Sequence, residues 1–241
     1  MSFNLGVSRE RVMKILLKII HALVDLEIVG SENVPDTGGF VLATSHISRL
    51  DTPFLMAATT RKNVIPMVAR DYQKAPIFGW LLSKLGVIWI SREGYDFHAF
   101  REASTFLKNG WIVGLAPEGT RSKTGELMEG KPGAALLALK TKVPVIPAAV
   151  LGSAEMLKWF SKFKKMRVKI IFGEPFDLAQ PEEAPKEKDR LEMATTEIMS
   201  RIALLLPEER RGFYANHPRF KVLLEEKQQK TIVNGAKHDS N

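Results

Sequence analysis

The sequence predicts an α/β fold: a largely parallel central sheet flanked by helices, with an amphipathic helix at the amino-terminal end. Three observations predict it. Short apolar runs rich in Val and Ile alternate with longer stretches of helical period, the pattern of strand–helix–strand units. Some of those runs, such as Phe40–Thr44 and Val145–Leu151, are almost uninterrupted, as strands covered on both faces are. The 241 residues, 45% hydrophobic and 26% charged, suffice for one domain with a sizeable core.

Residues 9–23 read as a helix, with polar groups at 11, 14, 18 and 21 forming a narrow stripe on an otherwise apolar cylinder. Two readings stay open for it: a terminal helix packed on the core, or a membrane-docking helix lying in the interface with Arg9, Arg11, Lys14 and Lys18 among lipid phosphates. Val24–Val29 alternates as a strand, and Phe40–Thr44 is a short buried one. Asp51 to about Thr60 is helical, Pro53 being tolerated in a first turn. Val64–Ala69 is a strand, Ile77–Leu85 a helix closed by Gly86, and Val87–Ile90 a strand. Phe97–Leu107 is a helix closed near Gly110, and Trp111–Ala116 a strand. Ala134–Lys142 is a helix before strands Val145–Leu151 and Met166–Phe172. Asp177–Arg190, rich in Pro, Glu and Lys, reads as a connector and Leu191–Leu206 as a helix stopped by Pro207. The expected organisation is an amphipathic helix (1–23), a main domain (24–176), a connector and helix packed on it (177–222) and a polar, flexible tail (223–241).

Charge narrows the partners. The net charge is +8, from 35 basic and 27 acidic residues, which suggests nucleic acid, a membrane surface or a phosphorylated substrate. The excess is local: residues 61–175 hold 19 basic and 9 acidic groups, while the two flanking segments are near neutral. There is no cysteine, which excludes disulfides, thiolate metal sites and a thiol nucleophile. No run reaches the ~20 apolar residues of a spanning helix. The apolar run from Val12 carries Lys14 and Lys18 and lacks a small-residue cleavage site, so it does not read as a signal peptide.

Four strand-end blocks carry the candidate chemistry. In Ser45-His46-Ile47-Ser48-Arg49-Leu50-Asp51, a turn between His46 and Asp51 lets the carboxylate take a hydrogen bond from one imidazole nitrogen. That fixes the tautomer and makes the other nitrogen the base; Asp51 is equally readable as a helix N-cap. In Gly86–Arg92, a buried strand delivers Arg92, whose rigid fork of donors suits phosphate. The plainer alternative pairs it with Glu93 or Asp96 on the surface. In Ala116–Ser122, Gly119 permits a turn that exposes backbone N–H groups, Arg121 is a second phosphate candidate, and Glu118 is placed to hold a hydroxyl or to orient Arg121. A Gly turn with a local ion pair is the competing reading. In Val143–Pro147, prolines at a strand's start or on an edge would shape a pocket wall.

In type and order these blocks resemble the glycerolipid acyltransferases, the family of 1-acylglycerol-3-phosphate acyltransferases and their relatives, marked by H-x4-D, G-x-x-[FW]-[IV]-x-R, [FP]-P-E-G-T-R-S and [VI]-P-[VI]-[IV]-P. The resemblance covers roughly residues 28–175. It implies that 24–176 is a catalytic domain moving an acyl group from acyl-CoA or acyl carrier protein to the sn-2 hydroxyl of lysophosphatidate, giving phosphatidate, with no cofactor. His46 would take the hydroxyl proton and Asp51 would orient it. Arg92 and Glu118-Gly119-Thr120-Arg121 would bind the acceptor's glycerol phosphate, with Lys131 as a further phosphate ligand. Two positions depart from the family: Ser45, where relatives often have Asn, and Ala116, where Phe is usual.

Many relatives span the membrane, so this chain is expected to act as a monotopic protein on its cytoplasmic face. The candidate anchors are the amino-terminal helix and Lys158–Lys169, twelve residues with six basic groups, no acid, and Trp159, Phe160 and Phe163 interleaved. A solvated charge run with half-buried aromatics is the plainer reading of that segment. Glycerol 3-phosphate, another lysophospholipid or a glycolipid without phosphate are alternative acceptors. More distant alternatives are a nucleic-acid-binding module, which leaves the H-x4-D and E-G-T-R blocks unexplained, and a lipid-binding relative without catalysis, against which the intact His46/Asp51 pair argues.

Overall fold

The computed structural model describes residues 6–155, 165–178 and 186–238. Seven strands form one sheet: β1 (Val24–Val29), β2 (Phe40–Thr44), β3 (Val64–Ala69), β4 (Ile88–Ile90), β5 (Ile112–Leu115), β6 (Val145–Leu151) and β7 (Met166–Phe172). Their order is β1-β7-β6-β2-β5-β3-β4. Strands β2 to β6 are parallel, so all five end at one edge. β7 runs antiparallel to β6, and β1 follows β7. The sheet is thus mostly parallel with a reversed pair at one side.

The helices are α1 (Gly6–Leu23), α2 (Asp51–Ala58), α3 (Pro76–Leu85), α4 (Phe97–Lys108), α5 (Gly133–Thr141), α6 (Glu187–Ala203) and α7 (Pro218–His238). α1 and α2 cover one face, packing Ile20, Phe54, Leu55 and Met56 onto Phe40, Leu42 and Ile146. α4, α5, α6 and α7 cover the other, where Ala103, Leu137, Ile198 and Phe220 meet Val41, Ala43 and Val145. Residues of β2 therefore alternate between two cores, which is why the strand is apolar from Phe40 to Ala43.

Some boundaries differ from the sequence reading. α6 begins at Glu187, inside the expected connector, because Glu187 and Asp189 favour a helix amino terminus. Where the sequence reads as a tail, α7 continues to His238. Its first turns bury Phe220 and Leu223, and Arg219 pairs with Glu197 of α6. Pro147 lies within an interior strand, not at a start or edge. Gly173 lies opposite it, donating its amide to Pro147 O at 2.8 Å, and leaves room for the ring, which a Cβ at 173 would meet at 2.7 Å.

Candidate active site

His46 is the second residue after β2, and the chain from 47 to 50 wraps around the carboxylate of Asp51, the first residue of α2. Asp51 is buried, 1% exposed. Its Oδ2 accepts hydrogen bonds from the amides of Ile47 and Ser48, each at 2.8 Å. The same oxygen lies 3.0 Å from His46 Nδ1. Asp51 is therefore no N-cap: its donors lie upstream, and Leu50 holds the capping position. A carboxylate accepts but does not donate, so Nδ1 carries the proton and Nε2 is left as the acceptor. From the end of β6, buried Ser153 donates its hydroxyl to Asp51 Oδ1 at 2.5 Å.

The backbone of His46 is clamped as well. Its amide donates to Glu118 Oε1 at 2.8 Å, and its carbonyl accepts from Ser122 N at 2.9 Å. Glu118 Oε2 accepts from Met128 N at 3.0 Å. Burial pushes the Glu118 carboxyl above its ordinary value, against the opposing pull of the Met128 and His46 amides. Glu118, expected among the substrate contacts, is instead turned inward: both oxygens are committed to backbone amides, and neither holds Arg121. This one side chain ties the β2–α2 loop to two points of the 116–132 connection.

Gly119 adopts φ +70°, the left-handed region that favours glycine. A Cβ there would meet the Lys131 side chain at 2.9 Å. The Lys131 amide donates to Pro117 O at 2.8 Å, holding the lysine over the turn.

Arg92 leaves the end of β4 half-exposed, with Nη1 3.3 Å from Asp71 of the 70–74 turn. Neither Glu93 nor Asp96, the partners expected in the plainer reading, holds it. Asp96 caps α4, accepting from Ala99 N at 3.0 Å and Ser91 N at 2.9 Å, and pairs with Arg70 at 3.1 Å. Those amides, Ala99 first, hold its carboxyl below the ordinary carboxylate value, with help from Arg70.

These loops surround a cavity of about 400 Å³. His46, Asp51, Arg92, Gly119, Thr120 and Lys131 line it; Arg121 does not. Its deeper wall is apolar, from Leu55, Met56, Val64, Met67 and Leu82. Gly114 and Ala116 of the β5 segment keep one side open, so the departure at Ala116 lies directly on the cavity wall. Ser45, the other departure, is buried outside the lining. The arrangement is a histidine base at the head of an apolar chamber with cations at its rim, suited to an anionic amphiphile.

Two lining or supporting residues escaped the sequence reading. Arg49 lines the cavity from within the H-x4-D turn, its guanidinium 5.5 Å from the Tyr72 ring. Its signal was its place in a strand-end loop. Ser153 had the same signal, following β6 directly after Gly152. Among the described residues there is no group of three or more His, Cys, Asp or Glu arranged to hold a metal. No helix among them is long and apolar enough to cross a membrane. Of the Lys158–Lys169 run, residues 158–164 lie outside the described residues. Lys165 donates to His21 O of α1 at 3.1 Å, and Lys169 meets Glu27 at 2.6 Å.

A family model described as Acyltransferase matches residues 25–151. A "1-acyl-sn-glycerol-3-phosphate acyltransferase" of Bacillus subtilis is 31% identical over 77% of this chain and 91% of its own length. One of the same description from Borreliella burgdorferi is 27% identical over 57% of this chain and 56% of its own. Among solved structures, the 1-acyl-sn-glycerophosphate acyltransferase PlsC of Thermotoga maritima superposes with a TM-score of 0.59 at 25% identity, covering 82% of this chain and 79% of that one.

Proposed function

The chain belongs to the Acyltransferase family, and from that premise we propose that it moves a fatty acyl group from acyl-CoA or acyl carrier protein to the sn-2 hydroxyl of 1-acylglycerol 3-phosphate, giving phosphatidate. The observation that carries the reading is the His46–Asp51 pair, Nδ1 to Oδ2 at 3.0 Å, at the head of an apolar cavity with Arg92 and Lys131 on its wall. The names of the relatives supply the acceptor.

In the proposed reaction His46 Nε2 takes the proton of the acceptor hydroxyl as its oxygen attacks the thioester carbonyl. A C–O bond forms and the carbonyl electrons move onto oxygen. When they return, the C–S bond breaks, and the imidazolium returns the proton to the departing thiolate. Asp51 accepts the Nδ1–H hydrogen bond throughout; because the acceptor hydroxyl attacks the thioester directly, no acyl-enzyme is required. The rim cations Arg92 and Lys131 take the acceptor's phosphate. Gly119 and Thr120 shape that subsite, while Glu118 serves it only through the loop it braces. Arg121 is placed beside this subsite by sequence alone.

The proposed setting is the cytoplasmic face of a membrane. On α1, Ile15, Ile19 and Leu23 remain exposed at fourfold spacing, the stripe an interfacial helix would sink among acyl chains. Lys165, tied to the end of α1, extends that surface toward the basic run.

The test is thiol release and phosphatidate formation from a panel of acyl-CoAs and acyl carrier proteins against lysophosphatidate, glycerol 3-phosphate and monoacylglycerol. Turnover is expected with lysophosphatidate, and His46→Ala should lower kcat by ~10²–10⁴-fold with an unchanged melting temperature. Wild-type turnover retained by His46→Ala would sink the mechanism, and preference for another acceptor would correct the substrate.

A further inference from the structure

Asp51 has two oxygens, and they are treated differently. Oδ2 gathers three donors from its own turn: the amides of Ile47 and Ser48 and the Nδ1 of His46. Oδ1 receives a hydroxyl from 102 residues away, Ser153 Oγ at 2.5 Å. Both side chains are almost fully buried, with Ser153 2% and Asp51 1% exposed. A buried carboxylate oxygen without a donor is unfavourable, and a carboxylate held at one oxygen only can swing about its Cβ–Cγ bond.

The fold goes to some length to deliver that hydroxyl. β6 lies beside β2, with Ala43↔Pro147 and Thr44↔Ala148 in register. Gly152 then turns at φ +86°, where an added Cβ would meet Arg167 O at 2.2 Å, so a side chain is excluded there. Ser153 opens the short 153–155 turn directly beyond.

We propose that Ser153 is a positioning residue of the acyl transfer, fixing the plane of the Asp51 carboxylate from β6 so that Oδ2 stays aimed at His46 Nδ1. The inference rests on the reading of His46 as general base. Without the Ser153 hydroxyl, Asp51 still reaches the two amides, and substrate still meets Arg92 and Lys131. What is lost is the fixed direction of the imidazole at the moment Nε2 takes the proton. Ser153 thus acts on the chemical step and leaves binding alone.

The experiment measures kcat and KM for lysophosphatidate and acyl-CoA in wild type, Ser153→Ala, Ser153→Thr and His46→Ala, with melting temperatures for each. Ser153→Ala should lower kcat by about 10- to 100-fold, the range of a lost hydrogen bond to a charged group. Both KM values should stay within about twofold. Ser153→Thr, which keeps the hydroxyl, should recover most of the rate. The proposal is overturned by a Ser153→Ala enzyme of wild-type kcat, by a loss that appears in KM, or by equal losses in folded Ala and Thr variants. If Thr fails to fold, the kcat-against-KM split of the Ala variant decides alone; if Ala also unfolds, Ser153 is a folding residue and the proposal fails. His46→Ala separates the two readings: turnover there removes the general base itself, whereas an inactive His46→Ala beside a fully active Ser153→Ala removes only the role of Ser153.

Discussion

After β2 the chain turns back on Asp51; after β4 it turns back on Asp96. Both carboxylates lie five and four residues beyond the side chain their loop presents, and both take two backbone amides. The resemblance ends with burial and with ties to the rest of the molecule. The His46 loop is braced by Glu118, Ser122 and Ser153, from two other strand ends, around a carboxylate sealed from solvent. The Arg92 loop is stitched to Arg70 and Asp71, and its arginine stays near the surface. The difference matches the two proposed tasks. Proton transfer is sensitive to direction, a misplacement of ~1 Å costing about a hundredfold in rate. A cation that receives a phosphate needs to be reachable from solvent, and Arg92 is half-exposed with its fork held by Asp71.

Exchanging one atom group in each loop tests this contrast most severely. Asp51→Asn can still turn its carbonyl oxygen to Ile47, Ser48 and His46 and its NH₂ to the Ser153 oxygen, but it removes the negative charge beside the imidazole. It should lower kcat by up to ~10⁴-fold, the upper scale of such a replacement beside a histidine base, because the imidazolium formed as Nε2 takes the proton loses its counter-charge. Asp96→Asn, which remains a competent helix cap, should leave kcat within about twofold. Steady-state kinetics on both enzymes checks the pair; similar losses in the two would erase the distinction between loops.

Glu118 comes next. Glu118→Gln keeps one acceptor but turns an NH₂ toward the amide of either His46 or Met128. A smaller fall in kcat, about 10- to 100-fold, is expected, with stability reduced by ~1–3 kcal/mol. The KM for lysophosphatidate should hold, because Glu118 faces away from the cavity. A rise in KM alone would return Glu118 to the substrate contacts where the sequence put it. Arg92→Ala should do the converse, raising the KM for lysophosphatidate about 5- to 10-fold with kcat nearly unchanged, since exposure moderates a charge-assisted bond. Monoacylglycerol, lacking phosphate, should not distinguish Arg92→Ala from wild type.

Much of this was legible in the residues. Phe40–Thr44 announces a two-sided strand because no polar group falls before its last residue, and the five-residue spacing of His46 and Asp51 suffices for a turn that closes on itself. What depended on distant neighbours was not legible. Glu118 sits beside Arg121 in sequence and so suggests a local ion pair, yet its partners are the amides of His46 and Met128. Ser153 has meaning only once β6 is known to lie beside β2. The reversed β7 and β1 were hidden for the same reason, since an apolar strand carries no mark of its neighbour's direction. Likewise α7 looks polar enough to fray, and its first turns are anchored by the burial of Phe220 and Leu223 and by the pairing of Arg219 with Glu197 of α6.

The smallest effect lies in the acid stability of the Arg92 loop. Asp96 is held below the ordinary carboxylate value by the Ala99 and Ser91 amides. A carboxylate of depressed folded value contributes stability that is present above its unfolded value, ~3.9, and is lost as pH falls through the folded one. Asp96→Ala should therefore cost about 1 kcal/mol at pH near 6, the usual worth of a helix N-cap. The gap between variant and wild type should narrow as pH is lowered through and below ~3.9. Urea midpoints taken from neutral to acid pH would show it. The same substitution should raise the KM for lysophosphatidate modestly, by loosening the turn from Ser91 to Asp96 that presents Arg92, and leave kcat alone. A gap that stays constant with pH would mean that the cap works without its charge, and a fall in kcat would mean that the second loop reaches the proton chemistry after all.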